Sequence, residues 1–117
     1  MEAENGVTVY DLEFTDGSIE KETDITADGT MLEFTIVVDA KDVTAAAMKT
    51  IREATEGATI KRIEHIEIGY ETKDGKAIKL PKTVIRYAVD ITKGDKTTEI
   101  VVDPDGAVVE PAKWSGT

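Results

Sequence analysis

The chain has 117 residues, no cysteine and a formal net charge of −10. One domain spanning 1–117 is the expectation at this length, and disulfides, thiolate metal sites and cysteine nucleophiles are excluded. Residues 1–40 hold 11 acids against the single base Lys21, whereas residues 41–117 balance 13 acids with 13 bases. Nucleic acid is therefore disfavoured as a partner, because phosphate binding needs clustered Lys and Arg. A basic protein surface or cations stay open, and the plain reading is acidic strand faces that keep the protein soluble. The longest strictly apolar run is four residues, Ala45–Met48, so no membrane span is expected. The opening MEAENG is acidic and polar, unlike a signal peptide.

Tyr10, Leu12 and Phe14 alternate with Asp11 and Glu13, the pattern of a half-buried strand. Asp16–Gly17 signals a hairpin turn, since both residue types tolerate positive φ. Ile19–Ile25 follows as a polar, edge-like strand, and Asp28–Gly29 turns the chain again. Leu32, Phe34, Ile36 and Val38 then share one face of a third strand. The period changes at Asp42. Residues 43–56 contain no Gly or Pro, and Val43, Ala47, Ile51 and Ala54 fall on one helical stripe. Asp42 is the expected N-cap, and Gly57 suits the position beyond the C-terminus. The stripe is small-residued, so this helix is expected to lie flat on a sheet face.

Ile60–Tyr70 reads as extended, but Ile63 breaks the parity shared by Ile60, Ile66, Ile68 and Tyr70. Either a bulge near Glu64–His65 or burial on both faces accounts for that. Asp74–Gly75 is a second hairpin turn, and Pro81 is expected to mark an edge or a break. Ile85, Tyr87, Val89 and Ile91 alternate cleanly, residues 93–96 turn the chain, and Thr98, Ile100 and Val102 form the next strand. Asp105–Gly106 leads into a short strand at 107–109, and the aperiodic tail at 111–117 is expected to be partly disordered. The expected order is β-β-β-α-β-β-β-β. It predicts an α+β fold, an antiparallel sheet packed on one α-helix.

Two stretches repeat 77 residues apart without a gap, Val9–Glu33 and Arg86–Glu110. Seven of the 24 pairs from Tyr10 to Glu33 are identical, against roughly one or two expected from composition. Inside positions stay apolar, as in Leu12 with Val89 and Phe14 with Ile91, and the turns coincide. This is an internal hairpin duplication: a half-repeat at 7–40, then a fuller repeat at 41–110 that includes helix and strand. Two readings follow. In one, a continuous sheet closes over the single helix. In the other, the sequence is a piece trimmed from a longer protein, and its half-repeat leaves an apolar face that a second chain could cover.

The stretches DVTAAAMKTI, GATIKRIE and IRYAVDITKGDKTTEIVVDPDGAVVE resemble the PepSY domain and its PepSY-like, β-lactamase-inhibitor-like relatives. The shared features are an amphipathic helix, a Gly-Ala-x-Ile strand start, a Tyr-led strand and a closing Val-Asp-x-x-Gly turn. The resemblance covers 42–110, and Val9–Glu33 is similar to the second half of another copy. Two departures are Thr44, where the family often has Pro, and an apparent insertion at 71–82. The resemblance implies a non-catalytic, periplasmic or extracellular module, such as an inhibitor or propeptide-like regulator of a secreted hydrolase. A structural module that self-associates through its sheet is the competing expectation.

The residues themselves point away from catalysis. His65 is the only histidine, and no nucleophile converges on it, so a plain strand histidine is the stronger reading. DPDG at 103–106 superficially matches the start of a calcium loop, but position 12 is Trp114 and the flanks are strands, which makes it a turn. No Gly-rich phosphate loop or GxSxG elbow is present. No catalytic residue, cofactor site or metal site is assigned. Tyr10 and Tyr87 are each expected to pack the ring on the core with the hydroxyl at the rim. Trp114 either clamps the core or serves as a binding anchor.

Overall fold

The computed structural model describes residues 2–4 and 6–114. Its elements are β1 (Glu2–Glu4), β2 (Val7–Asp16), β3 (Ile19–Thr26), β4 (Met31–Val38), a 3-10 turn (Ala40–Asp42), α1 (Ala45–Ala54), β5 (Thr59–Lys73), β6 (Lys76–Lys93), β7 (Lys96–Val102) and β8 (Val108–Glu110). Hydrogen-bonded strands follow chain order from β1 to β8. The expected element order is roughly matched, with β1 added in front. The α+β class is not. Strand accounts for 64% of the described residues and α-helix for one ten-residue segment. The reason is one of reach. Ten helical residues extend about 15 Å, enough to cover about three strands spaced about 4.8 Å apart, so one such helix cannot layer an eight-stranded sheet. The fold is mainly antiparallel sheet.

The chain divides into two compact units, Met1–Ile36 with Ile66–Ile85, and Val37–His65 with Arg86–Thr117. Each contains one copy of the duplicated hairpin and its own core. In the first unit Val7, Val9 and Leu32 are buried, with Tyr70 and Ala77 packed against them. In the second, Val43, Ala47, Met48 and Ile51 meet Ile63, Tyr87, Val89, Ile91, Ile100 and Val102. The out-of-phase Ile63 is thus a core residue, and half-buried Ile60 packs against the same cluster.

The duplication holds residue for residue. Tyr10 pairs with Ile25 and Asp16 with Ile19 in the β2–β3 hairpin; Tyr87 pairs with Val102 and Lys93 with Lys96 in the β6–β7 hairpin. Gly17 and Gly94 share φ +65°, and Gly29 and Gly106 share φ +90°. Both copies also slip register at the same place, between Asp24 and Ile25 and between Val101 and Val102. The following turns close identically: the amides of Gly29 and Gly106 each donate to the carbonyl three residues back, at 3.0 Å.

Local chemistry explains α1. Thr44, not Asp42, is the N-cap, and its hydroxyl accepts from the Ala47 amide at 3.2 Å. Asp42 serves the preceding 3-10 turn instead, where its carboxylate accepts from the Asp39 amide at 3.1 Å. Ala47, Met48 and Ile51 are buried, whereas Ala54 is exposed and leaves the expected stripe. Two further bonds hold the helix to the second copy's turn. Thr44 donates to the Pro104 carbonyl and Thr50 to the Gly106 carbonyl, both at 2.6 Å.

Three other expectations change. Residues 71–82 form the far end of the β5–β6 hairpin, turned at Asp74 (φ +50°) and Gly75 (φ +78°), both positive as a two-residue turn of this kind requires. Pro81 lies exposed within β6 and neither ends nor breaks it; one missing donor costs about 1 kcal/mol, and an 18-residue strand has many other amides. In the tail, Ala112 and Trp114 pack on the second core, and Lys113 exchanges backbone bonds with the Thr98 hydroxyl at 3.1 and 2.9 Å. Residues 115–117 lie outside the described residues.

The paired glycines allow a direct test of the helix contact. A Cβ on Gly106 would stand 2.7 Å from the Ala46 carbonyl oxygen, while one on Gly29 meets nothing within 4 Å. Both positions have the same left-handed φ, so Gly29→Ala reports backbone strain alone, about 1–2 kcal/mol. Gly106→Ala adds displacement of α1 and should lose about 1–3 kcal/mol more. Urea unfolding of the two variants measures the difference.

Candidate functional site

A hairpin closed at Asp16 and Ile19 sets every cross-strand neighbour along β2 and β3. It places Asp11 opposite Asp24 and Glu13 opposite Glu22. The β3–β4 register adds Glu33 opposite Asp24. Side chains alternate across a strand, so these five carboxylates share one face of the first hairpin copy. The carboxylate oxygens of Asp11, Glu22 and Asp24 lie within 4.8 Å of one another. Lys21 points to the other face, where it pairs with Asp16 at 2.9 Å.

Like charges directly opposite are destabilising, and here they add to the effect of burial on Glu22. Burial among its neighbours is the largest cause that raises its pKa, to about 7; a hydrogen bond with Asp11 and the charges of Asp11, Asp24 and Glu13 add to the rise. The second copy repeats the motif more sparsely. Asp90 stands opposite Glu99, and burial, then the charges of Asp90, Glu64 and Glu110, push Glu99 upward. Glu22 and Glu99 are equivalent positions of the repeat, as are Glu13 and Asp90, and Glu33 and Glu110. Ala88 and Val101 replace Asp11 and Asp24 and are buried.

Chemically, this face offers carboxylate oxygens. Exposed acidic groups grouped in this way are common without a metal ion. The face is better suited to several Lys or Arg side chains of another protein, which would relieve its internal repulsion.

Of the residues singled out in the sequence, His65 and Tyr87 meet in ring contact, and Trp114 packs on the core that holds Tyr87. His65 is half-buried, its ring edge-on to Tyr87 with centroids 5.4 Å apart. Tyr87 is 3% exposed, buried more deeply than a ring with its hydroxyl at the rim would be, and its counterpart Tyr10 is 38% exposed. The DPDG stretch is a turn in which the Asp103 carboxylate accepts from the amides of Asp105 and Ala107, at 3.0 and 2.9 Å. Trp114 takes the clamping role, half-buried against the second core. Sequence reading found the acidic excess but missed its pairing, although the Asp-Gly turn contained the signal: once the turn is fixed, the carboxylates must face each other.

The crowding predicts a pH effect of definite sign. The folded-state value of Glu22 lies above the ordinary value of 4.5, so folding favours its protonated form. That stabilisation is complete below about 4.5 and is lost as the pH rises through about 7. Glu22→Gln should therefore raise the thermal midpoint by about 2–4 °C at pH 8 and by much less at pH 5. Melting curves at the two pH values check this.

No family model and no curated protein matches the chain. Solved structures are. A DUF2874 family protein from Bacteroides uniformis superposes with a TM-score of 0.70 at 12% identity, over 91% of this chain and 70% of that one. A protein from Bacteroides eggerthii described as a putative periplasmic protein gives 0.72 at 13%, over 91% and 70%. A BLIP-like protein from Bacteroides fragilis gives 0.65 at 14%, over 93% and 71%. Identities this low show the fold alone: this chain has the BLIP-like fold shared by these DUF2874 and BLIP-like structures.

Proposed function

We propose that the chain is a non-enzymatic, exported protein-binding module of the PepSY-like kind, and that the carboxylate face of β2, β3 and β4 is its contact surface. The observation that carries this reading is the crowding of Asp11, Glu22 and Asp24, whose carboxylate oxygens lie within 4.8 Å of one another. Solubility alone needs dispersed charge; five acids stacked face to face on three strands cost stability that a basic partner restores. The BLIP-like fold and the description of one structural neighbour as a putative periplasmic protein support the same direction. The partner class is a protein with a Lys/Arg patch, and a secreted hydrolase regulated by inhibition or by a propeptide-like contact is the first candidate. Self-association through this face is opposed by the same charge, since two copies would bring their acids together.

Purified exported hydrolases, titrated with the chain at about 50 and about 300 mM salt, test the proposal. Affinity should fall at least about tenfold at the higher salt and again with Asp24→Asn. Binding indifferent to both changes would overturn it.

A further inference from the structure

The second unit has a charged surface of the opposite sign. An open groove of about 470 Å³ lies against the 3-10 turn and α1. Val43 and Met48 line it from the core, and Lys41, Lys49, Arg52 and Glu53 line it as exposed side chains. Three cations thus stand beside one anion, in a chain whose excess negative charge all falls within residues 1–40. Among the described residues, none of the three cations forms an ion pair or a side-chain hydrogen bond. The groove therefore offers apolar floor and unneutralised positive charge together, the chemistry that receives carboxylates from another chain.

We infer that this groove docks the carboxylate face of β2, β3 and β4 of a second copy of the chain, head to tail. The inference rests on the reading of that face as a contact surface. Each surface supplies what the other lacks: the face crowds Asp11, Glu22 and Asp24 within 4.8 Å, and the groove holds cations with no partner of their own. The spacings also agree. Lys49 and Arg52 are neighbours three residues apart on one helix, about 5–6 Å between Cβ atoms. Asp11 and Asp24 stand directly opposite on paired strands, about 4.5–5.5 Å between Cβ atoms. Each cation can therefore meet one carboxylate of an opposed pair. Two acidic faces repel, which opposes face-to-face pairing. Face and groove belong to different units, so the contact is heterologous, and each copy uses its face once and its groove once. At about 0.1 M salt the Debye length is about 10 Å, so charges at the contact act while the general repulsion between two chains of net charge −10 is largely screened. A copy whose face is covered in this way is closed to any other basic partner, so self-association and partner binding compete.

Sedimentation velocity of the full chain at about 0.1 M salt is the test. The average mass of the unmodified chain should rise with concentration, up to millimolar. Lys49→Glu with Arg52→Glu reverses the groove, and Asp11→Asn with Glu13→Gln and Asp24→Asn neutralises the face. Each variant alone should associate at least about tenfold more weakly. Mixed in equal amounts they should form a one-to-one complex, because the first retains an intact face and the second an intact groove. An unmodified chain that stays monomeric, association that survives in either variant, or a mixture that gains nothing overturns the inference. Oligolysine, titrated into the isotope-labelled chain and followed by NMR, separates this failure from failure of the face itself. Shifts at Asp11 and Glu22 in a monomeric chain leave the face a contact surface and overturn only its pairing with the groove, whereas no shift there sinks both. Oligoglutamate that shifts Lys49 and Arg52 in a monomeric chain also overturns the inference, and assigns the groove to an acidic segment of another protein.

Discussion

The constraint on which the structure depends is the left-handed backbone at four glycines, Gly17, Gly29, Gly94 and Gly106. Side chains with a Cβ resist this conformation, so each glycine fixes where a strand ends and the next begins. The pairing of two strands then leaves no freedom in what faces what. Tyr10 must meet Ile25 and Glu13 must meet Glu22, just as Tyr87 must meet Val102 and Asp90 must meet Glu99. A shift of one residue would send every apolar side chain to the other face. The carboxylate cluster, the second core and the exposed aromatic stripe are all consequences of those registers.

One frame carries two surfaces of opposite character. In the second copy the apolar face is closed by α1, and full burial of Val89, Ile91, Ile100 and Val102 contributes about 1.5–3 kcal/mol for each side chain. Leu12 and Phe14 in the first copy forgo much of that gain. The helix contact also explains details that look incidental. Thr44 and Thr50 are hydroxyl residues because two turn carbonyls need donors. Ala46 is small because its backbone lies against Gly106.

Much of this was legible in the residues, where the physics is local. Period-2 alternation located the strands, the Asp-Gly pairs located the turns, and the gapless 77-residue repeat foretold the matched registers. The helix was legible from its 3.6 period, but not its cap. Two acids, Asp39 and Asp42, precede Thr44, and only tertiary placement shows that they serve a separate 3-10 turn. Pro81 misled for a related reason. It forbids one hydrogen bond, but a long hairpin held by many others absorbs the loss. The fold class failed on reach, since a pattern reveals that a helix exists and not how many strands it can cover. Tyr10 and Tyr87 differ for the same cause: identical in the repeat, they diverge because only one has a helix packed over it.

The two faces of β2, β3 and β4 set opposing terms for the first unit. One face concentrates charge, and its cost falls when protons or basic groups arrive. The other exposes apolar side chains, and its cost falls when they leave water. Neither cost is relieved by the other, because alternation places them on opposite sides of the same backbone. Salt screens the first cost and leaves the second almost untouched, so the two are separable by ionic strength. Within the described residues the second copy buries its apolar side under α1, and the first concentrates its carboxylates on one side of the same kind of hairpin.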